Sequence, residues 1–507
     1  MNESFIIAHD LGTSGTKAVL TDMNGTIIAS AESHYPVYYS PDGGAEQDPE
    51  EWWKAIVETT HNMMRTADIA PEKVAGLSMS AQMVGTLPVD VDGKPLRRAM
   101  IWLDARAEAE AEFLRNKTGF NHITGKSPSA KVLWIMRHEP DIYARTHKML
   151  DCKDFLQFRM TGVFATDQGM AGATSYFNRQ TRSWWPLVLD AMELPVEKLP
   201  EPISSTDIVG ELTAKAATEL GLVEGTPVIS GGGDLPCAVI GSGAISPGHS
   251  HLYLGTSAWV IASTKEFISD VEGIFASIGI DDQSYLLGGE MDNAGGCTKW
   301  FLENLMGKED EAAAAEAGKS IFQYMDQLAA EIPPGAEELI FLPWVWGERA
   351  PVNDDNVRGG FVNLGLNHTK GHMIRALLEG VGCHLRWIFN TVESAGVLQK
   401  EANVIGGGAT SPFWLQILAD ITNIKLLQVE QPLDACARGA AMTAAVGLKY
   451  YKNFAEVEQT IKLTGAEFTP NQENREVYDT LYKNFRSLYS PLSSIGNNLV
   501  PPVNDTV

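Results

Sequence analysis

Cysteine is scarce in this chain: Cys152, Cys237, Cys297, Cys383 and Cys436 are odd in number, widely scattered and form no CxxC pair. That spacing excludes a disulfide framework and a structural zinc site, and it fits a reducing cytosol. Long hydrophobic runs are also missing, since no 18 consecutive apolar residues occur, which excludes a membrane-spanning helix. The start has no basic segment leading into an apolar one and opens directly on the strand-like Phe5-Ile6-Ile7-Ala8, so an unexported, cytoplasmic protein is expected. Positive charge is the third shortage. Lys and Arg number 39 against 64 Asp and Glu, a formal charge of −25, with no Lys/Arg-rich run. No nucleic acid and no anionic membrane is expected as partner, because a phosphate backbone is gripped through clustered positive charge. Any bound phosphate has to be held locally.

With 507 residues, 44% hydrophobic and 20% charged, the chain is ordinary globular material and too long for one ordinary domain. Self-similarity suggests how it divides. Leu-Gly-Thr-Ser occurs at Leu11 to Ser14 and again at Leu254 to Ser257, each time between β-rich runs. The first copy predicts three antiparallel strands, with Asn24-Gly25 as a hairpin signal before Thr26-Ile27-Ile28-Ala29. A second motif recurs where Pro227-Val228-Ile229-Ser230 and Ala402-Asn403-Val404-Ile405 each run into three glycines and then a helix. A duplicated α/β domain follows. The boundary is placed near Ser246-Pro247-Gly248, giving domains over 1–247 and 248–450 and an appended helical tail over 451–507, amphipathic from Asn474 to Tyr489 and fraying over 491–507. Asp48-Pro49-Glu50-Glu51 reads as a capped helix start.

Several segments carry candidate chemistry. In Asp10-Leu11-Gly12-Thr13-Ser14-Gly15-Thr16-Lys17, glycines admit close approach of a phosphate, while amides and the Thr13 and Ser14 hydroxyls can bond its oxygens. Lys17 adds charge, and Asp10 can hold Mg2+ directly or through water. A plain hairpin turn is the competing reading, which the second copy at Gly255-Thr256-Ser257 argues against. No GxxxxGK[ST] loop occurs. Asp234, after Gly231-Gly232-Gly233, sits where a strand gives way to a helix; it could accept a proton from a substrate hydroxyl or simply cap the helix. Trp102, Asp104 and Arg106 alternate, so on a strand they share one face suited to a polyhydroxylated ligand, or else form a surface Asp–Arg pair. Gln82, in Ser80-Ala81-Gln82-Met83-Val84-Gly85, is a further polar candidate. Gly295-Gly296 and Gly406-Gly407-Gly408 open helices, and either could let a flat adenine ring lie against backbone.

In this order the motifs resemble the FGGY carbohydrate kinases, within them most of all the xylulokinase branch. The resemblance also runs through Glu46-Gln47-Asp48-Pro49, Gly347-Glu348-Arg349-Ala350-Pro351 and Leu378-Glu379-Gly380-Val381. It implies two ribonuclease-H-like domains of the actin, hexokinase and heat-shock-chaperone ATPase superfamily, flanking a cleft that takes ATP with Mg2+ and a sugar. By carry-over, Asp234 is the general base and Asp10 lies near the metal. Thr13, Ser14, Gly255 and Thr256 hold phosphates, and Gly296, Gly407 and Gly408 border the adenosine. Gln82, Met83, Trp102, Asp104 and Arg106 face the substrate, a ketopentose such as xylulose or a related ketose or polyol. Ribulose, a tetritol, glycerol or gluconate are alternative substrates, a non-metabolic actin-like or chaperone-like ATPase is the alternative activity, and a homodimer stays open. Two positions depart from the pattern: Val84 stands where xylulokinases have His, and Leu235 where they have a polar residue. Each missing hydrogen-bond partner costs about 1–3 kcal/mol, so a preference for D-xylulose is expected to be weakened.

Overall fold

Runs of two to eight residues, most of them alternating or largely apolar, make the strands. In the computed structural model, which describes residues 4–269, 271–281, 283–397 and 399–496, the first of them form one sheet. Strands β1 (Phe5–Leu11), β2 (Gly15–Asp22) and β3 (Ile27–His34) are antiparallel neighbours, as the hairpin signals require. On the other side of β1, β4 (Val74–Ala81) and β6 (Pro227–Ile229) are added in parallel, and β5 (Ile208–Glu211) closes the edge antiparallel to β6; the two-residue β7 (Gly232–Gly233) also pairs with β4. The second sheet repeats the plan. Strand β8 (Ser250–Leu254) pairs antiparallel with β9 (Ala258–Thr264), beside which lies β10 (Tyr285–Met291). On its other side β11 (Glu401–Ile405) and β12 (Lys425–Val429) are parallel, and β13 (Leu463–Phe468) closes the edge antiparallel to β12. The duplicated turn in the sequence therefore marks a duplicated sheet, with Leu11 and Leu254 ending the equivalent strands.

The chain divides into two compact units. The first holds the chain up to Gly243 together with Ser277–Tyr285 and Asp434–Ile461; the second holds Ala244–Ala276, Leu286–Leu433 and the chain from Lys462. The packing departs from the contiguous division expected from sequence in that the helix Ala435–Gly447 returns to the first unit. There it packs on the helix Asp234–Ser242 at backbone distance: a Cβ on Gly241 would stand 1.8 Å from the Ala435 carbonyl oxygen, and one on Gly439 1.9 Å from that of Cys237. Arg438 then donates from Nη2 to the Gly241 carbonyl at 2.8 Å, satisfying an end group of the partner helix. Only glycine on both faces permits this approach, which fixes the helix headed by Asp234 from behind.

The C-terminal segment is no appended tail either. Residues 463–468 form the edge strand β13, and the helix Arg475–Gly496 buries Tyr478, Leu481 and Phe485 in the second unit's core beside Trp344. The Tyr478 hydroxyl donates to Glu379 Oε1 at 3.0 Å and accepts from Arg375 Nη2 at 3.0 Å, both buried groups of the central helix Lys370–Ser394. Helix continues to Gly496, so fraying does not begin at 491; residues 497–507 lie outside the described residues. The Asp48 cap forms as read, its carboxylate accepting from the Glu50 amide at 2.9 Å above the helix Pro49–Ala67. All five cysteines are free and buried, and no described helix is long and apolar enough to cross a membrane.

Candidate active site

The first glycine turn, between β1 and β2, is organised through its carbonyls. Gly12 O accepts from the Tyr35 hydroxyl at 2.6 Å, Thr13 O from Gln47 Nε2 at 2.6 Å, and Ser14 O from the Tyr35 amide at 3.2 Å. Three successive carbonyls are thus bonded within the protein, while Thr13 is half-buried and Ser14 exposed, which leaves hydroxyl-bearing side chains at the surface of the turn, as a phosphate needs. Thr13 Oγ1 also accepts from Trp102 Nε1 at 2.9 Å.

At the sheet end, Asp10 on β1 lies opposite Lys17 on β2 and Ser80 on β4, and Ser80 Oγ donates to Asp10 Oδ1 at 2.7 Å. Burial raises the Asp10 carboxyl above its ordinary range; the Ser80 hydrogen bond and Lys17 oppose this, while Asp434 adds to it. Asp434, just ahead of the helix Ala435–Gly447, is raised by its own burial and lowered by Lys17 and Arg438. Asp434 thus adds to the burial that works against a charge on Asp10, and Lys17 eases the ionisation of both carboxylates, so a cation added here would be favoured. The sequence motifs gave no reason to single out Asp434.

Asp234 is the first residue of its helix rather than the cap. Gly233 takes the cap position without a side-chain bond, and Asp234 Oδ1 accepts from the Leu235 amide at 2.8 Å. Met83 lies against this turn, its sulfur 2.3 Å from where a Gly233 Cβ would be. Gln82 is 4% exposed and donates from Nε2 to Gln47 Oε1 at 2.7 Å. Its own Oε1 is buried without a partner. Gln47 is the hub that motif reading missed, although its motif was visible: it also accepts from Trp52 Nε1 at 3.0 Å, and it links Gln82 to Thr13.

One expectation fails. Strand pairing ends at Met100, and the chain then turns, with the Asp104 amide donating to Ile101 O at 3.0 Å, so Trp102, Asp104 and Arg106 do not share a strand face. Asp104 is fully buried and its oxygens are committed: Oδ2 accepts from the Ala45 amide at 3.0 Å and from Arg106 Nη2 at 2.7 Å, and Oδ1 from Arg106 Nε at 3.0 Å. Arg106 also donates to Glu46 at 2.8 Å. A bidentate buried pair holds the turn closed because leaving either charge alone in this interior would be costly. Of the three, Trp102 is the one tied to the glycine turn.

The loop from Gln82 to Gly85 is held along its backbone by groups the sequence reading did not select. Gln82 O accepts from Cys152 Sγ at 3.3 Å, Val84 O from Lys131 Nζ at 3.0 Å, and the Gly85 amide donates to Asp151 Oδ2 at 2.9 Å. Lys131 also donates to Ile101 O at 2.6 Å, so one fully buried ammonium joins this loop to the Trp102 turn. Burial pulls its pKa down to about 7 against the pull of Asp104 and Asp151. Val84 has φ +71°, a conformation costing a β-branched residue about 1–3 kcal/mol, which the clamp must sustain. Lys131→Met leaves two carbonyls without their donor; it is expected to lower stability by about 1–3 kcal/mol and to raise the sugar KM about tenfold with the ATP KM unchanged. Equal effects on both KM values in steady-state kinetics would reduce Lys131 to general stability.

In the second unit the repeated turn meets two other glycine segments. The Gly295 and Gly296 amides, at the start of the helix Gly295–Leu305, donate to Gly255 O and Thr256 O at 2.9 Å each, and Ala294 N donates to Thr256 O at 2.8 Å. Again the carbonyls are bonded within the protein, and Thr256 is exposed. Gly406 has φ +88°, and a Cβ there would lie 2.5 Å from Leu254 O, so the turn after β11 abuts the end of β8. Gly255, Thr256, Gly296, Gly407 and Gly408 are thus brought to one end of the second sheet.

Residues 5–241 match the FGGY family of carbohydrate kinases, N-terminal domain, and residues 251–448 match its C-terminal domain. The chain belongs to the FGGY carbohydrate kinases. Like other members it carries both domains along nearly its whole length: it is 30% identical over 504 residues, 98% of each chain, to the xylulose kinase of Bacillus subtilis strain 168. A gluconate kinase from Lactobacillus acidophilus has a similar structure, with TM-score 0.87, 26% identity and coverage of 98% of this chain and 100% of that one. A ligand-bound xylulose kinase from the same organism has TM-score 0.85 and 27% identity, covering 98% of this chain and 99% of that one. This FGGY chain is therefore a carbohydrate kinase whose relatives differ in the sugar they are named for.

Proposed function

We propose that the protein transfers the γ-phosphoryl group of ATP to a primary hydroxyl of a ketose or polyol in the cytoplasm. The observation that carries this reading is the hydrogen-bonded chain from Gln82 through Gln47 to Thr13, with Trp102 on the Thr13 hydroxyl, which ties a sugar-side loop to a phosphate-side turn within the first unit. Asp234 takes the proton of the attacking hydroxyl; its place at a helix start favours the ionised form. Thr13, Ser14 and Lys17 hold the transferred phosphoryl group and its neighbour, Gly255 and Thr256 hold the nucleotide's phosphates, and Gly296, Gly407 and Gly408 border the adenosine. Gln82, Met83 and Trp102 face the substrate, and Asp104 with Arg106 braces the turn that carries Trp102. Asp10, with Asp434, fits Mg2+ held largely through water, since few carboxylates and retained waters suit this ion. The ion supplies charge neutralisation on the phosphoryl oxygens.

Half-buried Val84 and Leu235 flank the site and offer no side-chain hydrogen bond, which favours a substrate other than D-xylulose. A coupled assay of ADP release over ketopentoses, pentitols, tetritols, hexuloses, gluconate and glycerol tests the reading. One class should stimulate turnover strongly; ATP hydrolysis indifferent to all of them would favour an ATPase of another purpose.

A further inference from the structure

A polar cavity lies in the second unit, lined by none of the residues assigned above. Its volume is about 310 Å3, the lower end of the range for small-molecule sites and about ten times the share of one water. Four elements build it. The last turns of the helix Lys370–Ser394 give Arg386 and Glu393, and the run into β11 gives Gln399 and Lys400. The turn between the helix Pro412–Thr422 and β12 gives Asn423, and the start of the helix Arg475–Gly496 gives Arg475.

Three cationic side chains, Arg386, Lys400 and Arg475, therefore line it with one carboxylate, Glu393, and a second carboxylate, Asp479, pairs with the two guanidinium groups, so positive charge is in excess here in a protein whose overall charge is −25. Both guanidinium groups are pre-positioned by one residue, Asp479. Arg386 Nη2 donates to its Oδ1 at 2.6 Å, and Arg475 donates from Nε to Oδ2 at 3.0 Å and from Nη2 to Oδ1 at 2.9 Å. The remaining Arg475 nitrogen, Nη1, is buried with no partner. Gln399 is 8% exposed, and neither its amide oxygen nor its amide nitrogen has a partner. Folded proteins rarely leave such groups unpaired. A fixed cationic fork beside an amide able both to donate and to accept matches an oxyanion attached to a hydroxyl-bearing body.

We infer that this cavity binds a small phosphate monoester carrying hydroxyl groups, at a site separate from the phosphoryl-transfer residues. The dianion meets Arg386, Arg475 and Lys400, and the hydroxyls pair with the Gln399 amide. The inference does not depend on which sugar the kinase phosphorylates.

Calorimetric titration of the full chain with glycerol 2-phosphate tests it, because that secondary ester is not the product of transfer to a primary hydroxyl. Saturable binding at one site is expected, with inorganic phosphate weaker and glycerol inert. Lys400→Glu reverses one charge at an exposed position and should weaken binding at least tenfold, as should Arg475→Gln, while Asp234→Asn should leave it unchanged. If Arg475→Gln perturbs folding through its Asp479 contacts, Lys400→Glu still decides. Absence of saturable binding at millimolar ligand, meaning that water alone fills the cavity, overturns the inference. So does binding that Lys400→Glu leaves intact.

Discussion

Asp234→Asn is expected to reduce sugar phosphorylation by at least about 10²-fold, a loss of about 3 kcal/mol or more in transition-state stabilisation, because an amide cannot take the hydroxyl proton. The fold should persist. Asn keeps an oxygen that can accept from the Leu235 amide as Asp234 Oδ1 does at 2.8 Å, and it is at home at a helix start. The helix itself is fixed by the glycine contact with Ala435–Gly447, which the substitution does not touch. Nucleotide affinity should change little, since the turns proposed to hold the phosphates are built from other residues. Rate measurements at saturating substrate, with ATP binding followed separately, make the comparison. A variant that keeps more than about a tenth of wild-type activity would leave Asp234 as a helix-start residue and no base.

Val84→His combined with Leu235→Asn is expected to raise kcat/KM for D-xylulose about tenfold or more and to lower it for the natural substrate, each restored hydrogen bond being worth on the order of 1 kcal/mol. Position 84 favours the exchange locally as well. Its φ of +71° strains a β-branched valine more than it would a histidine, so the double variant should fold at least as well as the parent. The Lys131 and Asp151 clamps act on backbone atoms of this loop, Val84 O and Gly85 N, and hold it in place whatever side chain stands at 84. Competition between D-xylulose and the best substrate of the screen, in wild type and variant, measures the shift directly. Wild type already preferring D-xylulose would mean that other groups fill both roles.

What the amino-acid sequence by itself determined is what is written in neighbouring residues. Strand periodicity, the Asn24-Gly25 hairpin, the Asp48 cap and the repeated Leu-Gly-Thr-Ser turn are local patterns whose energetics need no distant partner, and each appears in place. The repeat sufficed to foresee two equivalent sheets, and the ordered motifs sufficed for the family. Tertiary structure decided where burial of charge and long-range pairing compete with local preference. Alternation at Trp102, Asp104 and Arg106 reads as a strand, but the buried Asp104 needs the Ala45 amide and the Arg106 fork, and that demand bends the chain into a turn. Gln47 became the hub of the site only because Thr13, Trp52 and Gln82 converge on it across the fold. The segment Asp434–Ile461 belongs to the first unit because Gly241 and Gly439 let two helices touch backbone to backbone, a fit between residues about two hundred positions apart that no window along the chain contains.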